Sequence, residues 1–335
     1  MKKVVGFGDY LIHFSPMGYQ RFVQASLMNM SFTGAEANVC AALAYMGAKT
    51  EFVTALPVHD LAKHGVAFIR GLGVNTDHIH YGGKRMGVYF LESGASLRSS
   101  GVIYDREDSA FCESKTEDYD WEKILEDCGY FYTTGITCAL SASLRQCCRD
   151  ALKLAKEKGI VTILDLNYRS KLGTTEDFRG IIEEMAEHLD CLIINEEHSK
   201  MLFGISNDYS EEESYHRVQD YAMQVKKLTG IQKIAMPVRR TLSASDARIY
   251  AGFLNGESFA LSDPHDIHVV DRVGSGDAFS SGIIYSLLHD FDTQYAVNWA
   301  AASGALKHTI ESDINFSSVE EIKALLEKRS GDVKR

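Results

Sequence analysis

The sequence has few prolines and tryptophans, and it has no segment that would separate one domain from another. Only four of its 335 residues are proline and two are tryptophan, and no low-complexity linker or internal repeat separates one part from another. No apolar run approaches about 18 residues, the length expected of a membrane helix, and the start is too short for a signal-peptide core. These absences predict one large cytoplasmic domain without a membrane anchor.

Positive charge is also scarce. The chain has 35 Lys and Arg residues and 46 Asp and Glu residues, which gives a formal net charge of −11. No long basic run occurs. Nucleic acids and anionic membrane surfaces are therefore excluded as expected partners. The seven cysteines form no Cys-x-x-Cys pair and no Cys/His cluster at zinc spacing, so they indicate buried thiols in a reducing compartment.

Strand-like and helix-like segments alternate along most of the chain. This alternation predicts an α/β fold with a mostly parallel sheet and right-handed crossovers. The predicted strands are 3–7, 50–54, 77–80, 129–133, 160–164, 191–194, 231–237, 243–253 and 258–261, and the predicted helices are 39–46, 60–72, 141–158, 174–188, 211–228, 277–289, 293–308 and 318–328.

The alternation is interrupted twice by strand-like segments with no helix between them. Residues 13–32 and 85–104 fit short strands and turns, which predicts a small separate sheet, or lid, within about 10–33 and 84–112. We expect this sheet to cover the ligand-binding edge of the main sheet, with residues 1–330 forming a single domain and 331–335 a disordered tail. Exposed lid strands would pair across a two-fold axis, which favours a homodimer or a higher homo-oligomer.

One glycine-rich segment combines a strand, a turn and a helix start. From Val269 to Ser281 the sequence reads VVDRVGSGDAFSS. Gly274 and Gly276 remove side chains where the amides at a helix start would meet a ligand, and those amides with the helix dipole favour an anion such as phosphate. Asp277 stands beside this cradle, where a carboxylate can take the proton of a hydroxyl that attacks a phosphoryl group.

Other polar residues directly follow predicted strands. Asp165-Leu166-Asn167-Tyr168-Arg169 comes after one strand and Asn195-Glu196-Glu197 after the next. Ligands of open parallel sheets bind beyond the carboxyl ends of the strands. These residues are therefore candidates for the same site, although surface loops offer an alternative explanation.

The segment from Asp271 to Asp277 resembles the signature of the ribokinase-like (pfkB-type) carbohydrate kinases. Its Asp-Arg-Val-Gly form is similar to the 2-keto-3-deoxygluconate kinase branch. Further blocks of that branch resemble segments in the same order, and the resemblance covers nearly the whole chain. These segments are Gly34–Val39, Tyr89–Glu92, Tyr104–Arg106, Asp165–Arg169 and Ser243–Asp246.

The resemblance implies a three-layer αβα fold with a β lid, and an enzyme that transfers a phosphoryl group from ATP, with Mg²⁺, to a sugar acid. It implies Asp277 as the base and an anion hole at Gly274, Ser275 and Gly276. The implied sugar-acid pocket consists of Gly34, Asn38, Tyr89, Tyr104, Arg106, Asn167 and Arg169. The implied nucleotide site consists of Asn195, Arg239, Gly274 and Gly276 beside the 301–308 helix, with Mg²⁺ held through water by Glu197.

Four positions depart from the family pattern, one of them Ala62, where a glycine is usual. Thr33 stands where a second glycine is usual, His13 where the branch has arginine, and His198 where the metal-organising Asn-x-x-Glu has glutamate. A neutral sugar such as fructose, or a nucleoside, stays open as the substrate, and a non-catalytic ligand-binding protein is a further alternative. A dinucleotide fingerprint at Gly6-Phe7-Gly8 is incomplete, because Leu11 occupies the third glycine position.

Overall fold

The chain is built around one large β-sheet. The computed structural model describes residues 2–328. Strands are numbered in chain order, and those of the large sheet are β1 Lys3–Phe7, β4 Thr50–Val53, β9 Cys128–Thr134, β10 Val161–Asp165, β11 Cys191–Ile193, β12 Lys233–Thr241, β13 Asp246–Asn255, β14 Ser258–Leu261 and β15 His265–His268. The order across the sheet is β14-β13-β12-β11-β10-β9-β1-β4, with β15 beside β13. Pairing is parallel from β4 to β12 and antiparallel beyond it.

Helices cover both faces of this sheet. They are α1 Ala35–Tyr45, α2 Asp60–Gly71, α3 Ala110–Glu113, α4 Trp121–Ile124, α5 Gly135–Leu140, α6 Ala142–Glu157, α7 Thr175–Met185, α8 Glu196–Phe203, α9 Ser214–Thr229, α10 Ser275–Leu288, α11 Thr293–Lys307 and α12 Val319–Leu326. Successive strand side chains point to opposite faces, so Phe131 packs in the core beneath α6, α7 and α9. Its neighbour Tyr132 packs beneath α1, α10, α11 and α12. The result is a three-layer αβα arrangement.

A second sheet forms the lid. Its strands are β2 Leu11–Pro16, β3 Met28–Thr33, β7 Gly87–Glu92 and β8 Gly101–Asp105, in the order β3-β2-β7-β8. The two predicted lid segments contain all four strands. On its inner face Leu11, Tyr89 and Leu91 form an apolar cluster that also contacts Val273, next to the glycine-rich turn. Two further short strands, β5 Ala55–Leu56 and β6 His80–Tyr81, pair with each other.

Several predicted elements differ from those observed. The helix predicted from 211 begins at Ser214, and the strand predicted at 77–80 is the two-residue β6. Helices α5 and α8 were not predicted. Both begin with a side-chain cap, since Thr134 accepts from the amide of Thr137 and Asn195 from that of His198. A cap directly after a strand starts a helix within one residue, and such short helices leave little periodicity to detect.

Within residues 2–328, no helix combines the length and the apolar character needed to cross a bilayer. All seven cysteines are free thiols, and five of them are buried. The predicted tail 331–335 lies outside the described residues.

Candidate active site

A cavity of about 800 Å³ lies between the carboxyl ends of the large sheet's strands and the inner face of the lid. Strands β10 and β11 are parallel neighbours, so Asp165 and Ile193 end at the same edge and help to line it. All the residues predicted for the site line this one cavity. They are Gly34, Asn38, Tyr89, Tyr104, Arg106, Asn167, Arg169, Asn195, Glu197, Arg239, Gly274, Ser275, Gly276 and Asp277.

The glycine-rich turn begins helix α10 at the floor of the cavity. Gly274 is the N-cap and has a φ of 75°, a left-handed conformation that favours glycine. A Cβ at Gly274 would stand 1.8 Å from the carbonyl oxygen of Asp313, whereas a Cβ at Gly276 would meet nothing within 4 Å. The first glycine therefore allows close packing within the protein, and the second borders open space beside the helix amides. This arrangement suits an anion at the helix start.

Asp277 lies in the first turn of α10 and lines the cavity. Its Oδ2 accepts a hydrogen bond from Asn38 Nδ2 at 2.8 Å. Asn38 Oδ1 accepts in turn from the hydroxyl of Thr33 at 3.1 Å. Desolvation raises the pKa of Asp277 to about 7, the Asn38 hydrogen bond opposes that rise, and the nearby Asp165 carboxylate adds to it. A carboxylate with this pKa can accept a proton near neutral pH.

Two further carboxyl groups, those of Glu36 and Asp165, lie close to Asp277, and a third, that of Asp9, lies near Glu36. Asp165 was among the candidates that follow predicted strands, whereas Asp9 and Glu36 were not predicted as site residues. Glu36 Oε1 accepts from Thr134 and Thr137 at 2.8 and 2.7 Å, and burial raises the pKa of Glu36 to about 7. Burial likewise raises the pKa values of Asp9 and Asp165 to about 6. We call this set the carboxylate floor, and its members are Asp9, Glu36, Asp165 and Asp277.

Five arginines line the same cavity. Arg240 is paired with Glu196 and Glu211, and the other four form a set. Arg106 is buried, its Nη1 lies 3.7 Å from Asp9 Oδ2, and its Cζ lies 4.2 Å from the centre of the Tyr104 ring. Arg169 is half-buried, and its Nη1 donates to the carbonyl of Tyr168 at 3.1 Å. We call the set the arginine rim, and its members are Arg106, Arg169, Arg239 and Arg272.

The lid contributes aromatic side chains to the end of the cavity that the sequence predicts to bind the sugar acid. The Tyr89 hydroxyl donates to Asp313 Oδ2 at 3.0 Å, and the rings of Tyr89 and Tyr104 stack with centroids 5.7 Å apart. On the other face of Tyr89 the His13 ring stacks at 4.3 Å. His13 Nδ1 also lies 3.3 Å from Asp313 Oδ1. His13, which stands where the family branch has arginine, therefore contacts both the Tyr89 ring and the Asp313 carboxylate that binds the Tyr89 hydroxyl.

Backbone geometry explains two more predicted residues. A Cβ at Gly34 would stand 2.0 Å from the Asp9 carbonyl oxygen, so this glycine lets the start of α1 approach the loop after β1. Asn167 has a φ of 42° and its amide donates to Asp165 Oδ1 at 3.0 Å, an Asx-type turn that asparagine tolerates. Both residues shape the loops that carry the floor carboxylates.

The end of the cavity predicted to bind the nucleotide lies beyond the glycine-rich turn, where Ala301, Gly304 and His308 of the α11 region line the cavity. Arg272 Nη2 donates to the carbonyl of Ala244 at 2.6 Å. Partial desolvation and the nearby Arg272 guanidinium lower the pKa of Arg239. Two guanidinium groups that repel each other beside helix amides would both be stabilised by a phosphate.

The Asn-Glu-Glu-His segment forms the first turn of α8. Asn195 Oδ1 accepts from the amide of His198 at 2.7 Å, so this oxygen is used as a helix cap. Glu196 is engaged by Arg217 at 2.8 Å and by Arg240 at 2.9 Å, whereas the Glu197 carboxylate is exposed on the cavity wall. Among residues 2–328, no group of three or more His, Cys, Asp or Glu side chains could hold a metal ion.

The glycines after β1 have a packing role. A Cβ at Gly6 would stand 2.6 Å from Cys40 Sγ, and one at Gly8 would stand 2.0 Å from Glu36 Oε2. Both glycines therefore let β1 lie against α1, whose buried residues include Glu36 and Cys40. This contact accounts for the dinucleotide-like spacing without a nicotinamide cofactor.

An αβα sheet with a lid, a carboxylate at a glycine-rich helix start and a cavity rimmed by arginines define an enzyme class, the kinases of small molecules. Within that class, the chain belongs to the pfkB family of carbohydrate kinases, whose family model matches residues 1–320. The predicted family and the ribokinase-like fold class are thereby confirmed.

Relatives in this family resemble the chain over almost its whole length. The structure of 2-dehydro-3-deoxygluconokinase from Thermotoga maritima is 40% identical, with a TM-score of 0.93, over 97% of this chain and 98% of that one. The 2-dehydro-3-deoxygalactonokinase of Haloferax volcanii is 29% identical over 98% of each chain. The 2-dehydro-3-deoxygluconokinase of Thermoproteus tenax is 26% identical over 93% of this chain and 90% of its own.

Proposed function

We propose that this carbohydrate kinase transfers the γ-phosphoryl group of ATP to a hydroxyl of a sugar acid, in the first place 2-keto-3-deoxygluconate, to give 2-keto-3-deoxy-6-phosphogluconate. The observation that carries the proposal is the position of Asp277. Its carboxylate lies at the start of α10, between the glycine-rich turn and the sugar side of the cavity. The names of the relatives, two of which are 2-dehydro-3-deoxygluconokinases, support the substrate class.

In this mechanism Asp277 accepts the proton of the substrate hydroxyl. The hydroxyl oxygen forms a bond to the γ-phosphorus while the bond from that phosphorus to the β–γ bridging oxygen breaks, and ADP leaves. The amides at Gly274, Ser275 and Gly276 would stabilise the charge that develops on the transferred group. The pKa of Asp277 is raised to about 7. The carboxylate would therefore be largely ionised just above neutral pH, and it would be a stronger base towards the substrate hydroxyl than an ordinary aspartate.

We assign the substrate carboxylate to Arg106 and Arg169. A guanidinium group can bind a carboxylate through two parallel hydrogen bonds. Arg106 already faces Asp9 at 3.7 Å, whereas Arg169 donates to a backbone carbonyl. Arg169 is therefore the better placed of the two to accept a new anionic partner. The carboxylate floor would accept hydrogen bonds from the sugar hydroxyls, and Asp9 supplies two buried carboxylate oxygens beside Arg106 for this.

The residues on the nucleotide side fit ATP with Mg²⁺. Mg²⁺ commonly keeps several waters and is held by one or two carboxylates and the substrate phosphates, and the exposed Glu197 on the cavity wall meets that need. When bound, the metal would offset charge on the phosphates. Arg239, and Asn195 through its remaining amide donor, would bind the nucleotide, and the α11 region would contact the adenine.

One alternative substrate has direct support. A relative that matches 98% of this chain is a 2-dehydro-3-deoxygalactonokinase, and the galactonate and gluconate compounds are both sugar acids. A neutral sugar or a nucleoside would offer Arg169 no substrate carboxylate. A non-catalytic binding protein would have no need for Asp277.

We further propose a homodimer in a reducing compartment such as the cytoplasm. The lid exposes large apolar side chains, among them Met28, Met30 and Ile103, which are 40%, 40% and 54% exposed. Such a surface favours association. The seven free thiols fit a reducing environment.

An ATP-consumption assay over four groups of compounds tests the proposal. The groups are the two 2-keto-3-deoxy acids, other sugar acids, neutral ketoses and nucleosides. We expect the highest kcat/KM with 2-keto-3-deoxygluconate and a product phosphorylated at C6. Faster turnover of a ketose or a nucleoside than of any sugar acid would contradict it.

A further inference from the structure

A chain of two hydrogen bonds connects the lid to Asp277. Thr33 is the last residue of β3, pairs with Leu11 in the lid and is 4% exposed. Its hydroxyl donates to Asn38 Oδ1 at 3.1 Å, and Asn38 Nδ2 donates to Asp277 Oδ2 at 2.8 Å. The chain therefore joins three elements, β3, α1 and α10, and ends on the catalytic side of the cavity.

The chemistry of the Asn38 amide makes its orientation important. The amide has a donor end and an acceptor end of nearly equal shape. Only the donor end stabilises an ionised Asp277, and this orientation directs the acceptor end, Oδ1, towards Thr33. A buried carbonyl oxygen without a donor is unfavourable, so the hydroxyl of Thr33 stabilises the one orientation that serves Asp277.

We propose that Thr33 is a positioning residue for this reaction, which fixes the Asn38 amide with its donor end on the catalytic carboxylate. The inference rests on the proposed role of Asp277 as the base. A glycine at position 33 would have no hydroxyl to offer, so the departure from the family pattern at Thr33 has a chemical consequence. Asn38, predicted to bind the sugar, then acts first of all on the base.

The charged groups around Asp277 determine how a loss of this hydrogen bond would be seen. The Asn38 hydrogen bond lowers the pKa of Asp277, against the effect of burial. Loosening it should therefore raise that pKa and move the acid limb of kcat to higher pH. The other groups that face Asp277 are Glu36, Asp165, Arg169, Tyr132 and Lys307. A Thr33 variant keeps all of these side chains, and the other group that loses the Thr33 hydroxyl is the carboxylate of Asp313, whose pKa that hydroxyl lowers.

Thr33→Val tests the proposal, because valine keeps the shape of threonine and removes the hydroxyl. We expect kcat to fall about 3- to 10-fold, the effect of one hydrogen bond, with the KM for ATP unchanged and the acid limb displaced upwards. Thr33→Ser keeps the hydroxyl and should restore most of the loss. Thr33→Ala serves in the same way if the valine variant does not fold.

Thr50→Val is the matched control. Thr50 is also 4% exposed on a strand, and its hydroxyl has no hydrogen-bond partner among the described residues. It lies outside the cavity, so its loss should leave kcat and the pH profile unchanged.

Two results would overturn the inference. Wild-type kcat and an unmoved acid limb in Thr33→Val would exclude a positioning role, and an equal loss in Thr33→Ser would assign the effect to packing. Asp277→Asn, assayed in parallel, separates a failure of the inference about Thr33 from a failure of the proposed role of Asp277 as the base. If that variant is inactive while Thr33→Val is normal, only the inference fails, whereas full activity of Asp277→Asn would remove the base and the inference together.

Discussion

The carboxylate floor and the arginine rim of the cavity carry opposite charges, and they differ in how far their charged groups are removed from solvent. The carboxylate floor is desolvated, and burial raises the pKa values of its members to about 6 or 7. The arginine rim is more open, and two of its members donate to backbone carbonyls. Groups that titrate near neutral pH suit proton transfer, and permanently charged groups suit anions. The comparison assigns hydroxyl chemistry to the floor and the binding of carboxylate and phosphates to the rim.

The largest effect is expected from Asp277→Asn. Asparagine keeps the shape of the side chain and cannot take the hydroxyl proton, so turnover should fall by roughly 10²- to 10⁴-fold. The KM for ATP should change little, since the nucleotide is held by other groups. Steady-state kinetics with both substrates varied measures this. A variant with near wild-type kcat would show that the floor does not supply the base.

Arg169→Ala removes one guanidinium group from the rim. Loss of a hydrogen bond to a charged partner costs roughly 1.5–3 kcal/mol, which corresponds to about a 10- to 150-fold loss in kcat/KM for a sugar acid. Turnover of a neutral ketose, however slow, should not fall in the same proportion. Arg179→Ala is a suitable control, since Arg179 is exposed and pairs with Glu183 on α7. Equal losses on both substrates would contradict carboxylate binding by Arg169.

Glu36→Gln tests the floor through stability. The pKa of Glu36 is raised from 4.5 to about 7, so the folded protein keeps its proton over a range in which the unfolded chain has released it. The contribution of Glu36 to stability is therefore fully present below about pH 4 and is lost as the pH rises to about 7. Glutamine keeps an oxygen for Thr134 and Thr137 but does not titrate.

Urea unfolding at pH 5 and pH 8 measures this contribution. We expect the free energy of unfolding to decrease less between the two pH values in Glu36→Gln than in the wild type. The same pH dependence in both proteins would show that Glu36 is ionised in the folded state throughout.

The smallest effect is expected in the lid. Tyr89, Tyr104 and Arg106 lie in or directly after its strands and line the cavity. If they bind the sugar as proposed, bound sugar should order segments 13–32 and 85–104. Hydrogen exchange in the apo, ATP-bound and sugar-bound states should show slower exchange with sugar than with ATP alone. Equal exchange in all three states would identify the lid as a preformed wall.

The parts of the site that the sequence predicts are those carried by local patterns. Gly274, Gly276 and Asp277 lie within four residues of one another, and their chemistry follows from a helix start. The hydrogen bond from Asn38 to Asp277 joins residues that are 239 positions apart. No local sequence pattern predicts a contact over such a separation. Glu36 was missed for a related reason. It lies within the recognised block from Gly34 to Val39, but its burial and its threonine partners depend on how α1 packs against the sheet.

The fold shows the same division. The βα alternation predicts the parallel sheet and its two helical layers, because hydrophobic periodicity is local. Helix α8 was not predicted because its first turn, Glu196 to His198, is polar and shows no hydrophobic periodicity. Its start depends on the Asn195 cap. The strand predicted to lead into the glycine-rich turn is β15, but it ends at His268, before Val269 and Val270, and it pairs with β13.

The central claim is that the rim recognises a sugar acid by its charge. A comparison of kcat/KM for 2-keto-3-deoxygluconate and for its C1 carboxamide, which differ in charge and little in shape, tests this claim most directly. The account predicts that the acid is preferred by at least about 10-fold, the least that one charge-assisted hydrogen bond provides. Equal or better turnover of the carboxamide would contradict it.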